Sequence, residues 1–157
     1  LHWSHQNVGA FLACWIIGYG IVQANTPQLF SWIRTTGISG RVLSSWAVIL
    51  AVVTLLISVV VYFQINIEYT LVIGLLSFGA VFAVNSSLHS YKIVSMAKED
   101  GVSTDVGFYY MANAAGRLIG TLLSGLSYQF GGLACCLAVA GLMTFLSWFT
   151  AKKLKHI

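Results

Sequence analysis

Charge is scarce in this chain. Of 157 residues only 8% are charged while 58% are apolar, against about 25% charged in an ordinary soluble domain. A soluble fold of this size cannot be wetted by so few charges, and so much apolar side chain excludes a disordered tail. One Pro and fifteen Gly exclude a Pro-rich linker and a collagen-like repeat. Only three Cys are present, with no Cys-x-x-Cys pair: Cys14 stands alone, and Cys135 and Cys136 are neighbours that a helix points about 100° apart. They read as small hydrophobes. His-Glu-x-x-His, a Gly-Lys-Ser/Thr phosphate loop and a nucleophile elbow are all missing, so enzyme chemistry has no visible carrier and no metal or cofactor is expected. The net charge of +4 would raise the question of nucleic acid in a soluble domain. In so apolar a chain the bilayer is the expected surrounding, and no nucleic-acid partner is expected.

What the chain has instead is long apolar runs. A hydrocarbon core of roughly 30 Å takes about 20 helical residues to cross, and five runs qualify: Val8 to Gln23, Val42 to Phe63, Tyr69 to Val94, Val106 to Tyr128, and Gly132 to Ala151. The expected fold is an all-α, polytopic membrane helix bundle. Gly18, Tyr19 and Gly20 interrupt the first run. The third turns polar at Asn85-Ser-Ser-Leu-His89-Ser90, and a tight turn at Gln129-Phe-Gly-Gly132 separates the last two. The second and fifth runs carry almost nothing polar beyond Ser and Thr, so they are expected to be outer, lipid-facing helices.

Seven of the eight basic residues share one side of such a bundle: Arg34 and Arg41 in the loop after the first span, Lys92 and Lys98 at or beside the loop after the third, and Lys152, Lys153 and Lys155 in the tail. Positive-inside reasoning then places the C-terminus in the cytoplasm. Trp46, Tyr62, Tyr69 and Trp148 fall where interfacial aromatics belong. The first residues lack a start Met and a basic, cleavable leader, and the chain reads as truncated.

The eighth basic residue is Arg117, about eleven residues into the fourth span and hence near the membrane midplane. A charge there costs a few kcal/mol even on lenient insertion scales, so such residues face a wet cavity or a partner. The four acids, Glu68, Glu99, Asp100 and Asp105, all lie in loops or at helix ends. The counter-charge of Arg117 is therefore expected to be a ligand, water or something beyond this chain. Residues four apart share a helix face, which makes Tyr109, Asn113, Arg117 and Thr121 one polar stripe. Ala112, Gly116, Gly120 and Ser124 form an adjacent stripe of small residues, a pattern that lets membrane helices approach closely. Gly120→Leu is accordingly expected to force a neighbouring helix away.

On the third span Asn85 and His89 share a face, with Ser86 and Ser90 beside them. A neutral imidazole could donate to a substrate oxygen and a protonated one could pair with an anion; alternatively, His89 simply reaches the headgroup region. Tyr19 and Gln23 make a weaker pair on the first span, which also reads as interfacial polar groups. The candidate binding residues are thus Arg117, Asn113, Tyr109, His89, Asn85, Tyr19 and Gln23.

The stretch from Asp105 to Gly125, Asp-Val-Gly-Phe-Tyr-Tyr-Met-Ala-Asn-Ala-Ala-Gly-Arg-Leu-Ile-Gly-Thr-Leu-Leu-Ser-Gly, with the following Tyr128-Gln-Phe-Gly-Gly132, resembles the eleventh helix and next turn of major facilitator superfamily transporters. Together with Asn85 to Ser90, Lys98-Glu-Asp-Gly-Val102 and Trp15-Ile-Ile-Gly-Tyr-Gly-Ile-Val-Gln23, it is similar to organoarsenical efflux permeases of the ArsJ type. The resemblance covers nearly the whole chain, aligned with helices eight to twelve of a twelve-helix transporter. It implies export of an arsenylated glycerate phosphate across the inner (plasma) membrane by alternating access, with an N-terminal half as the missing partner. That cargo is a small anion with arsenic bound through oxygen, so no thiol cage is implied. The superfamily's Gly- and Arg-rich loop has only a degenerate echo in Arg34-Thr-Thr-Gly-Ile-Ser-Gly-Arg41. A major facilitator exporter of a drug or sugar, and a non-transporting truncated membrane subunit, are the other readings.

Overall fold

A computed structural model of the chain describes residues 3–30, 38–96 and 102–153. Arg34, Lys98, Glu99, Asp100 and Lys155, and with them much of the one-sided basic distribution and the degenerate loop, lie outside the described residues. All regular structure among the described residues is helical: α1 (His5–Leu29), α2 (Gly40–Tyr62), α3 (Ile67–Met96) and α4 (Val102–Lys153). Four helices are therefore long and apolar enough to cross a membrane, where the sequence predicts five.

The difference lies in α4, which is 52 residues long and kinked. Gly131 (φ −150°, ψ 21°) and Gly132 (φ 62°, ψ −157°) leave helical geometry and divide it into arms 102–130 and 133–153. The conformation at Gly132 is one that only glycine adopts readily. Across this break the Ser124 hydroxyl meets the Cys136 sulfur at 3.1 Å. Along one straight helix twelve residues span about 18 Å, so the second arm folds back beside the first.

Starts and stops of the other helices follow local chemistry. The Ser4 side chain accepts from the Asn7 amide at 3.2 Å and Ser39 from the Val42 amide at 3.5 Å, each satisfying a donor that the first turn leaves open. A short link with positive φ at Gln64 and Asn66 joins α2 to α3. At its C-terminal end α1 continues beyond the apolar run that closes at Gln23, by more than the one further turn expected at each end, through Pro27 to Leu29. Pro27 has no N–H to give the Gln23 carbonyl, but side chains serve the neighbouring carbonyls: Asn25 Nδ2 donates to Ile21 O and Thr26 Oγ1 to Val22 O, both at 2.8 Å.

Packing runs α1 on α3, α3 on α2, α2 on α4. The central position of α2 corrects the expectation that this span is an outer helix. Its buried residues Leu43, Ser44, Ala47, Leu50, Ala51, Thr54, Ile57, Ser58 and Val61 recur every three or four positions, and they supply most of the core. The physical reason is that lipid tails and core side chains are equally apolar, so a Leu- and Val-rich surface does not distinguish lipid from protein. Glycines mark the close approaches. A methyl group at Gly74 would sit 2.9 Å from Ile57 Cγ1 (α3 on α2), one at Gly79 2.8 Å from Trp15 Nε1 (α3 on α1), and one at Gly141 2.6 Å from Leu55 Cδ2 (α4 on α2). The Ser58 hydroxyl donates to Ala134 O at 2.8 Å, tying α2 to the 133–153 arm.

Candidate functional site

The polar stripe predicted on the fourth span is present on the 102–130 arm. Tyr109 and Asn113 are half-buried, and Arg117 and Thr121 are exposed. Thr121 Oγ1 donates back to the Arg117 carbonyl, which spends the hydroxyl on its own helix and removes it from the site. Arg117 and Asn113, with Tyr110 and Ala114, line an open cleft of about 320 Å³. Among the described residues no carboxylate pairs with the Arg117 guanidinium. The cleft thus offers five fixed N–H donors and an amide to whatever enters it, a donor set that suits carboxylate, phosphate or arsenate oxygens in a bidentate fork. Tyr110 was missed on the sequence because an i, i+4 reading stops at Tyr109. The offsets of three to Asn113 and seven to Arg117 put it on the same face.

The α3 residues form a second group. His89 Nδ1 lies 2.8 Å from the Asn85 carbonyl oxygen, one turn earlier on the same helix. A carbonyl only accepts, so Nδ1 carries the proton. The neutral ring then presents Nε2 as an acceptor, and it donates outward only when doubly protonated. This narrows the sequence expectation, in which neutral His89 donates to substrate. Asn85 Oδ1 is buried with no hydrogen-bond partner. Ser90 Oγ lies 2.9 Å from Tyr109 Oη, joining this group to the stripe on α4.

Tyr19 and Gln23 belong elsewhere. Tyr19 stacks between Trp15 (centroids 5.9 Å apart) and Phe82 (5.8 Å), and Phe82 in turn stacks on Phe78. Trp15 Nε1 donates to the Leu75 carbonyl at 2.6 Å. This aromatic ladder is the seam between α1 and α3, and α1 and α4 share no packing contact. Tyr19 is a packing residue here, and Gln23 stands half-buried beyond it. The seven candidates therefore fall into three groups, of which the structure joins two.

The stripe of small residues also departs from expectation. A methyl group at Gly116 or Gly120 would meet nothing within 4 Å, so among the described residues no helix packs against these two glycines. Among the described residues no cluster of three or more His, Cys, Asp or Glu is placed to hold a metal ion. Cys135 and Cys136 are half-buried, free thiols, and Cys14 is exposed. Comparison with family models, with curated proteins and with solved structures finds no match to this chain.

Proposed function

We propose that this chain is the C-terminal part of a major facilitator exporter of small organic anions, with an arsenylated glycerate phosphate as the cargo implied by the resemblance to organoarsenical efflux permeases. In this reading the two arms of α4 are separate spans, giving five, which correspond to helices eight to twelve of the transporter. The protein resides in the plasma membrane with its C-terminus in the cytoplasm, and an N-terminal half closes the cavity. The observation that carries the proposal is Arg117: a guanidinium in mid-span, without a carboxylate partner among the described residues, facing an open cleft with Asn113 and Tyr110. A permanent cation at that depth is costly, and an anionic cargo that needs neutralising in the bilayer accounts for it. Arg117 would hold the anion in its planar fork while Asn113 fixes orientation.

The test is arsenate resistance and organoarsenical export in cells carrying the transporter, with surface expression as control. Arg117→Ala is expected to abolish efflux and leave insertion intact, because removing a midplane charge makes insertion easier. Arg117→Lys keeps the charge but loses the fork, and is expected to be severely impaired. Full resistance with Arg117→Ala at normal surface level would overturn the anion-site assignment.

A further inference from the structure

Two exposed stripes run along α2 and the 133–153 arm. Arg41, Ser45, Ile49 and Val52 recur every three or four positions on α2, and Leu142, Phe145, Phe149 and Lys152 do so on the arm. Each stripe is almost wholly apolar and ends in one cation. From the cation to the far apolar residue each measures about 15 Å, half of a hydrocarbon core of roughly 30 Å. Such a stripe spans one leaflet.

The two cations stand at the same end of the bundle. Leu55 packs on Gly141 and Ser58 bonds to Ala134, so α2 and the arm run antiparallel. From the Leu55–Gly141 contact Arg41 lies about 21 Å along α2 and Lys152 about 17 Å along the arm, in the same direction and within a turn of the same depth. Lys92 and Asp105 belong to that end too, since Leu88 shares a core cluster with Leu43 and Ser90 bonds to Tyr109. Positive charge is therefore in excess there, whereas Glu68 lies at the opposite end.

Lys152 is held in place. Its ammonium sits 5.4 Å from the centroid of the Trp148 ring, which packs 4.9 Å from the ring of Phe145. A cation–π contact positions the charge without neutralising it, and among the described residues no carboxylate pairs with Lys152 or Arg41. A second copy of the chain is a poor occupant for this face. Two copies in one membrane are related by an axis along its normal, which would set Lys152 against Lys152 at one depth.

We propose that this face is a binding site for an anionic phospholipid, its headgroup phosphate held by Lys152 and Arg41 and its acyl chains lying along the two stripes. Aromatic rings at the glycerol level and a cation at the phosphate level match the order of groups in such a lipid. The reading above places this end at the cytoplasmic face, whose leaflet is the anionic one. The site uses the position of the chain in the membrane and not its cargo.

The test is native mass spectrometry of the protein extracted in a neutral detergent, with phosphatidylglycerol and phosphatidylcholine of identical acyl chains added at equal concentration. Phosphatidylglycerol is expected to bind in preference. Lys152→Gln and Arg41→Gln are each expected to lower that preference roughly fivefold, and the double variant by more than either. Lys152→Arg keeps the charge and is expected to keep the preference, which separates lost charge from a damaged helix end. Lys92→Gln removes a cation from the same end but from neither stripe, and is expected to leave it unchanged. Equal binding of the two lipids, full preference in Lys152→Gln or Arg41→Gln, an equal loss with Lys92→Gln, or a doubled protein mass in place of bound lipid would overturn the site. Lipid binding is read without cargo, so a protein that shows this pattern and exports no organoarsenical loses the transport reading and keeps the lipid site.

Discussion

The two arms of α4 use the same kind of residue for opposite ends. In the 133–153 arm Gly141 is buried against Leu55, and a side chain there would collide with α2. In the 102–130 arm Gly107, Gly116, Gly120 and Gly125 all have open space where a Cβ would stand. One arm thus spends its glycine on a neighbour within the chain, while the other leaves its glycines open and, among the described residues, is met along the small-residue stripe only at Ser124, by Cys136 across the turn. A stripe of small residues states that a helix can be approached closely; whether anything does approach depends on which large side chain stands opposite, and spacing along one helix does not contain that.

Substitutions at glycines of each class break the comparison most directly. Gly132→Val is expected to be the most damaging, because a β-branched residue cannot adopt φ 62° with ψ −157°; the cost is about 1–3 kcal/mol or more. Loss of monodisperse protein on size exclusion in detergent would register it, and a normal profile with an unchanged thermal midpoint would show that the arms do not need this turn. Gly141→Leu follows, at about 1–3 kcal/mol of overpacking against Leu55, read as a lowered thermal midpoint. Trp15→Phe keeps the stacking on Tyr19 but removes the donor to the Leu75 carbonyl, a loss of about 1 kcal/mol that a thermal melt would resolve. At the small end Gly120→Leu is expected to leave the stability of this chain within about 0.5 kcal/mol. A clear fall in its melting midpoint would mean that the 102–130 arm is packed after all, and the contrast between the arms would collapse.

Helical character and apolar length were legible in the sequence, since runs such as Val42 to Phe63 admit no other structure, and so was the polar stripe, since offsets of four survive folding. The turn at Gly131 and Gly132 was placed correctly from a Gly-Gly pair between two apolar runs, although the helix continues on either side of it without a loop. Burial was not legible. The purely apolar α2 is central because apolarity alone is compatible with lipid and protein alike, and Tyr19 is a packing residue because its surroundings, Trp15 and Phe82, come from two different helices. For His89 the spacing from Asn85 was visible, but the role of its ring was decided by the carbonyl that spacing brings within reach.

The proline in α1 bears on Gln23 in a way its side chain does not. With Pro27 four residues on, the main-chain oxygen of Gln23 is denied its ordinary helical donor. The strongest acceptor at position 23 is therefore the peptide carbonyl, which any sequence could supply, rather than the amide that draws the eye. The turn around it is strung on the side chains of Asn25 and Thr26, so flexing there need sacrifice no main-chain bond between Gln23 and residue 27. The segment that follows lines a small, partly open recess through Thr26, Pro27 and Phe30, opposite Ile38, Leu88 and Tyr91. Thr26, almost fully buried, and Phe30, set edge-on against Trp46, anchor this end of α1, so side-chain contacts hold the helix where its main-chain ladder is broken.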